Sequence, residues 1–312
     1  MTRRGGLTAI LAVGLILTSA PALAAASELG GFALPWWIWP VLLFVVTFLL
    51  GIVAVLAGVG GAVLFVPIVG GLFPFHFDFV RGAGLLIALS VAIAAGPALL
   101  RTGMANLRLA MPLALIASIG AIGGAYLGLA LPVEWVQLGL GVTILGVVGV
   151  MLRSRKSDFP DVPRADVLSD ALRMNGVYID FVRRRKIEWR VHRTPLGLAL
   201  FAGIGVLAGM FGIGAGWANV AVLNLVMGAP LKVSVATSTF MLSIVDTAAV
   251  WVYINQGAVL AIIAVPSIIG VMLGSFVSVR LLAVVSTAQI RRVVIVMLLL
   301  AGLRAFLKGL GI

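Results

Sequence analysis

Three consecutive hydroxyls, Thr237-Ser238-Thr239, lie early in an apolar run. Hydroxyl groups can donate to the oxygens of an oxyanion. Within a helix the same groups can bond back to the helix's own carbonyls, and the sequence leaves both readings open. Two glycine clusters offer a second kind of donor. Gly58-Val59-Gly60-Gly61 and Gly212-Ile213-Gly214-Ala215-Gly216 each interrupt a long apolar stretch. Glycine lets backbone approach a ligand closely, because no side chain stands in the way. A helix that starts after such a break aims free N–H groups and the positive end of its dipole at the break, where an anion is the natural occupant. The competing role for these glycines is close helix packing, which is the reading for Gly120, Gly124, Gly128, Gly270 and Gly274. Asn219 and Asn224 follow the second break and either line a cavity or serve as packing amides. Asp246 is the one acid expected well inside a span. Acids in membranes face the bundle interior or water, so Asp246 is either a proton carrier or a structural acid. Asp78 and Arg81 fall near the end of a span and are expected to snorkel. His76, within Phe73-Pro74-Phe75-His76-Phe77-Asp78-Phe79, is expected to be wetted at the interface.

The elements that must position these groups form a duplicated unit. Gly58, Gly60, Gly103, Pro112 and Gly120 recur as Gly212, Gly214, Gly257, Pro266 and Gly274, without gaps and at one interval (212 − 58 = 154, 266 − 112 = 154). In the first copy a broken stretch from about Trp36 to Leu72 precedes spans at about Val80 to Leu100, Leu109 to Leu131 and Trp135 to Leu152. In the second, a broken stretch from Pro195 to Met227 precedes Leu231 to Tyr253, Ala258 to Leu282 and Ile290 to Leu307. The hydroxyl run has no polar counterpart, since its equivalents are Ala83, Gly84 and Leu85.

Composition supports membrane spans. Of 312 residues 62% are hydrophobic and 10% charged, and the mean hydropathy is +1.22. Several runs exceed the ~20 apolar residues that cross a bilayer core, and the alternation of a membrane barrel strand is missing. The net charge of +12 does not argue for nucleic acid: the basic residues lie at span ends and in one loop, as they do in cytoplasmic loops of membrane proteins. The absence of cysteine excludes disulfides and thiolate metal sites. His76 and His192 have no neighbour at ligand spacing, so neither a metal nor another cofactor is expected. No Walker-type phosphate loop occurs, and Gly203-x-Gly205 with Gly209 lies in an apolar span with no strand before it, so it is no dinucleotide fingerprint.

Charge also orients the chain. The segment from Arg153 to Arg193 carries Arg183-Arg184-Arg185-Lys186 and is read as cytoplasmic. The loop with Arg101 and Arg108 is then inside, while its counterpart around Gly257 is uncharged and outside. The Glu134 loop is outside, while its counterpart with Arg280, Arg291 and Arg292 is inside. The bias flips between copies, so each crosses an odd number of times, and the two form an inverted repeat of the kind found in secondary transporters. Each broken stretch must then return to its starting side as a hairpin or re-entrant pair. Trp36, Trp37 and Trp39 form an interfacial belt. Ahead of them, Arg3 and Arg4, the apolar run Leu7 to Leu17 and the small residues at Ala24 to Ala26 read as a signal peptide that leaves the new N-terminus outside, against the alternative of an uncleaved first span. In the basic segment, Val177-Tyr178-Ile179 and Ile187-Glu188-Trp189-Arg190-Val191 are compatible with a small hairpin.

The expected fold is therefore an all-α polytopic membrane protein: residues 1–26 a signal peptide, 36–152 the first repeat, 153–194 a cytoplasmic basic linker and 195–310 the second repeat. Gly58-Val59-Gly60-Gly61 followed by Pro67, its echo Gly212-Ile213-Gly214-Ala215-Gly216, Ala236-Thr237-Ser238 and a basic linker ending in Arg193-Thr194-Pro195 resemble the TauE/SafE family over about residues 40 to 310. The resemblance implies ATP-independent transport of sulfite, sulfonates or related organosulfur anions. The first copy departs from the pattern at Ala62 and at Gly82-Ala83-Gly84. The expected activity is export of a small sulfur-containing anion by alternating access in the inner membrane, with proton coupling as an option, and no enzymatic activity. A passive small-anion channel and an organosulfur uptake permease are the alternatives. Gly58, Gly60, Gly61, Gly212, Gly214, Gly216, Asn219, Thr237 and Ser238 are the candidate substrate-binding residues, and Asp246 is the proton-coupling candidate. The expected partners are the anion and the bilayer; oligomeric state is not legible.

Overall fold

The computed structural model describes residues 35, 37–57, 61–101, 103–153, 162, 164–180, 185–281 and 287–311. The expected signal peptide, Gly58 and Gly60 lie outside them. The chain is built almost wholly of helices that are apolar all round, the composition expected of buried or bilayer-crossing helices. Helix α1 (Ile38–Ala57) and the short α2 (Gly61–Leu72) flank the first glycine cluster, and α3 (Phe77–Arg101), α4 (Leu107–Ala130) and α5 (Val133–Arg153) follow. After a linker with α6 (Val167–Ala171) and strands β1 (Gly176–Asp180) and β2 (Arg185–Trp189), the same order returns. Helix α7 (Thr194–Phe211) and the short α8 (Gly216–Ala221), continued by a π-helical turn at Val222–Val226, precede α9 (Leu231–Asn255), α10 (Ala261–Leu281) and α11 (Thr287–Gly309). Helix starts repeat at the interval of the glycines (231 − 77, 261 − 107 and 287 − 133 all equal 154). Among the described residues, five helices are long and apolar enough to cross a membrane: α3, α4, α7, α9 and α10.

The second break has a local cause. Gly212 and Gly214 adopt φ of +70° and +67°, a left-handed backbone that costs an L-residue energy. Gly212 ends α7, its N–H donating to the Ala208 carbonyl at 3.0 Å. At the other end of that segment, the Asn224 amide donates to the Ala229 carbonyl at 2.9 Å.

Glycines set the close approaches between the two halves. Gly120 and Gly124 of α4 lie on the backbone of Ala202 and Val206 in α7, while Gly205 and Gly209 of α7 lie on Ala117 and Ala121 of α4. The symmetry-related pair does the same: Gly51 of α1 meets Val271, and Gly270 and Gly274 of α10 meet the Phe44–Phe48 turn. Packing is thus the role of Gly120, Gly124, Gly270 and Gly274, as the small-residue pattern implied. The ascending contacts make α1 and α10 run parallel, and α4 and α7 likewise. Contacts between α5 and α11 descend instead, so these two helices run antiparallel. Gly141 of α5 abuts Phe306 of α11 and Gly309 abuts Leu138. Two apolar cores result, each drawing on both halves: one around Leu64, Phe65, Ile144 and Leu298, the other around Leu113, Phe201, Met241 and Val245.

The linker is ordered where described. β1 and β2 pair antiparallel, Gly176 with Trp189 through Asp180 with Arg185. Asp166 caps α6, accepting from the Ser169 N–H at 2.8 Å, and also accepts from the Thr194 N–H at 2.6 Å and hydroxyl at 2.8 Å. One carboxylate so ties α6 to the start of α7. Burial raises its pKa, but the hydrogen bonds from Ser169 and Thr194 outweigh burial and hold it below the ordinary 3.8. Met174, Trp189 and Val191 join the second core, which fixes the hairpin against the helix ends.

Candidate functional site

Gly61 and Gly214 converge on one turn of α3. Gly61, the first residue of α2, packs against the side chains of Ile87 and Val271. Gly214 packs against Ala88, the next residue of α3. Ile87 and Ala88 lie near the middle of α3 (Phe77–Arg101), so Gly61 and Gly214 sit at mid-bundle depth. A Cβ on Gly214 would also lie 3.6 Å and 3.9 Å from the two carboxylate oxygens of Asp246. Only glycine leaves that space between backbone and acid open.

Asp246 is fully buried, and among the described residues neither of its oxygens has a hydrogen-bond partner. Buried polar groups are seldom left so. Asn219, one turn into the helix that starts at Gly216, is also fully buried, and its amide nitrogen and oxygen have no partner among the described residues. The second break therefore gathers Gly214, Gly216 and Asp246, with Asn219 on the helix that leaves it.

The hydroxyls divide. Ser238 faces the break, its hydroxyl 3.5 Å from the Gly216 carbonyl. Thr237 turns elsewhere and accepts from the Asn106 N–H at 3.1 Å, on the loop before α4. Thr239 bonds back to the Val235 carbonyl at 2.9 Å, the ordinary fate of a helical threonine. The asymmetry between copies has a steric reason. Gly84, the equivalent of Ser238, lies directly under the Gly212 carbonyl oxygen, where a Cβ would collide.

Arg81 departs from expectation. It does not snorkel: it is 1% exposed. One Nη1–H donates to the Met210 carbonyl at 2.7 Å and Nη2 donates to the Gly128 carbonyl at 3.1 Å. Nη2 also pairs with the Asp78 carboxylate. The guanidinium lies 5.4 Å from the Phe77 ring centroid and 5.7 Å from that of Tyr253. Met210 and Gly128 stand in the last turns of α7 and α4, where carbonyls lack helical partners and favour a cation. Tyr253 adds a second strap, its hydroxyl donating to the Gly209 carbonyl at 3.0 Å. Gly128 is thus not only a packing glycine, because its carbonyl is an Arg81 ligand. A signal was present in the sequence: an acid three residues before an arginine in an apolar run is a neighbouring pair on one helix face. His76 is exposed, and its Nδ1 accepts from the Asp78 N–H at 3.4 Å.

At mid-depth the arrangement brings Gly61 and Gly214, one from each break, onto neighbouring residues of α3. Two cavities lie away from it. One of about 360 Å³ is bounded by the Gly103–Arg108 loop, Asn175 and Trp189, and one of about 420 Å³ by Gly71, Leu303, Arg304 and Lys308. Comparison with curated proteins and with solved structures found no match. The model of the sulfite exporter TauE/SafE family does match, over residues 43–305. Both glycine clusters and the hydroxyl run fall within that range, and the chain belongs to the sulfite exporter TauE/SafE family.

Proposed function

We propose that the protein is a secondary transporter that exports a small sulfur-containing anion, such as sulfite or a sulfonate, by alternating access between two inverted repeats. The observation that carries this reading is the meeting of the two glycine breaks on neighbouring residues of α3, Ile87 and Ala88, in a chain of this family. Transporters bind cargo at mid-membrane where discontinuous helices meet. Antiparallel packing of α5 on α11 supports an inverted relation between the halves. With the basic linker cytoplasmic, the Arg81 end of the bundle faces outward and the Asn106–Thr237 end faces the cytoplasm. Gly61, Gly214, Gly216, Asn219 and Ser238 line the site, and Gly212 sets the shape of the second break. Thr237 belongs to the inner closure instead of the central site. Gly58 and Gly60 are assigned to the first break on the sequence pattern alone.

Asp246 is the coupling acid in this reading. A carboxylate facing an anion site repels its cargo, whereas a protonated one can donate to it. Anion and proton would then bind together.

The test is sulfite flux from proteoliposomes holding the purified full-length chain, with sulfate, thiosulfate, an organosulfonate and chloride as competitors. Saturable, sulfur-selective flux that responds to a pH gradient is expected. Non-saturable flux that carries chloride equally well would replace the transporter with a channel. In Asp246→Asn the pH response should vanish; a response kept intact removes the acid from coupling.

A further inference from the structure

A cation in an apolar bundle is costly unless its charge and its N–H groups are matched. Among the described residues Arg81 is the one buried lysine or arginine. Its match is incomplete. Guanidinium carries five donors; Nη1 serves Met210 and Nη2 serves Gly128 and Asp78, while Nε is buried and has no partner among the described residues. Its carboxylate partner is the less secured half of the pair, because the Asp78 side chain is 22% exposed and that of Arg81 1%. On its other side Arg81 adjoins the break itself, the space of a Gly212 side chain being filled by Arg81 backbone.

We infer that Arg81 is an anion subsite at the outward end of the second break, and that Asp78 is an internal carboxylate which the transported anion displaces. This rests on the anion-transport reading above. The chemistry fits a tetrahedral or pyramidal sulfur oxyanion: two of its oxygens match the fork of a guanidinium, including the N–H that Asp78 leaves unused. The carbonyls of Met210 and Gly128 fix the plane of the fork, and Phe77 and Tyr253 close its two sides. When the anion leaves, Asp78 returns, so the arginine is never left bare in the bundle. The exchange conserves charge at the mouth and gives the cargo a reason to move past Arg81 instead of resting there.

The experiment is calorimetric titration of sulfite, with chloride as reference, into the purified full-length chain, Asp78→Asn and the double variant Asp78→Asn/Arg81→Gln. Removing the competing charge should tighten sulfite binding about tenfold in Asp78→Asn, the size of one charge-assisted hydrogen bond. The double variant replaces the ion pair by a neutral pair of similar shape, which buried sites tolerate better than a broken pair. It should lose that gain and bind more weakly than the parent. Parent-like affinity in either variant, in protein with an unchanged melting profile, overturns the subsite and leaves the transport reading standing. Failure of the parent chain to bind any sulfur anion overturns both.

Discussion

Gly212→Ala offers the sharpest check of the geometry at the second break, because the protein supplies its own control. Gly212 and Gly257 have nearly the same backbone, with φ of +70° and +68°. Alanine at either must adopt the left-handed conformation, which costs roughly 1–2 kcal/mol. Their surroundings differ. A Cβ on Gly257 meets nothing within 4 Å, whereas on Gly212 it would come within 2.6 Å of the Arg81 Cα and 2.8 Å of its carbonyl carbon. Backbone cannot step aside as a flexible side chain can, and overpacking of this kind costs roughly a further 1–3 kcal/mol. Gly257→Ala should therefore lose roughly 1–2 kcal/mol of stability, and Gly212→Ala that amount plus the overpacking cost. The assay is unfolding in mixed micelles by titration with a denaturing detergent, followed by tryptophan fluorescence. Equal losses at the two positions would refute the close approach of α7 to α3, and with it the placement of the break beside Arg81.

Other perturbations probe the remaining contacts. Gly205→Leu should abolish accumulation of folded protein, since the Ala117 backbone occupies the space of its side chain; normal yield and melting would mean that α4 and α7 do not cross there. Tyr253→Phe should cost about 1 kcal/mol, the net value of a buried hydrogen bond, for the lost bond to the Gly209 carbonyl; detergent unfolding reads it. Asp166→Ala should loosen the linker by about 1–2 kcal/mol as a lost helix cap, seen as faster proteolysis around residues 164–194. The pH sign follows from its depressed folded pKa. The stabilisation is complete above the unfolded value of 3.8 and is lost as pH falls through the lower folded value. Linker protection from proteolysis or hydrogen exchange should therefore fall on acidification below that range in the parent chain and not in Asp166→Asn; protection that is indifferent to acid in both would refute it.

Length, apolar runs and the ungapped repetition of glycines and a proline were enough to determine the helical membrane class, the order of the long helices and the location of the second break. These are legible because each has a local cause. Burial in lipid demands long apolar helices, and a left-handed turn demands glycine. The basic turn between two β-prone runs likewise marked the strands of the linker. Tertiary structure alone decided which polar groups meet. Thr237 and Ser238 are sequence neighbours, yet one faces the loop before α4 and the other the second break, because adjacent helical residues point about 100° apart. Gly84 is a poor match to Ser238 in the aligned copies, and only the Gly212 carbonyl above it explains why no side chain stands there. Arg81 read as a snorkelling residue because its position near a span end is a local fact, whereas its carbonyl ligands, Met210 and Gly128, are 129 and 47 residues away. A charge inside a bundle is stabilised by what other helices bring to it, and no spacing within its own helix records that.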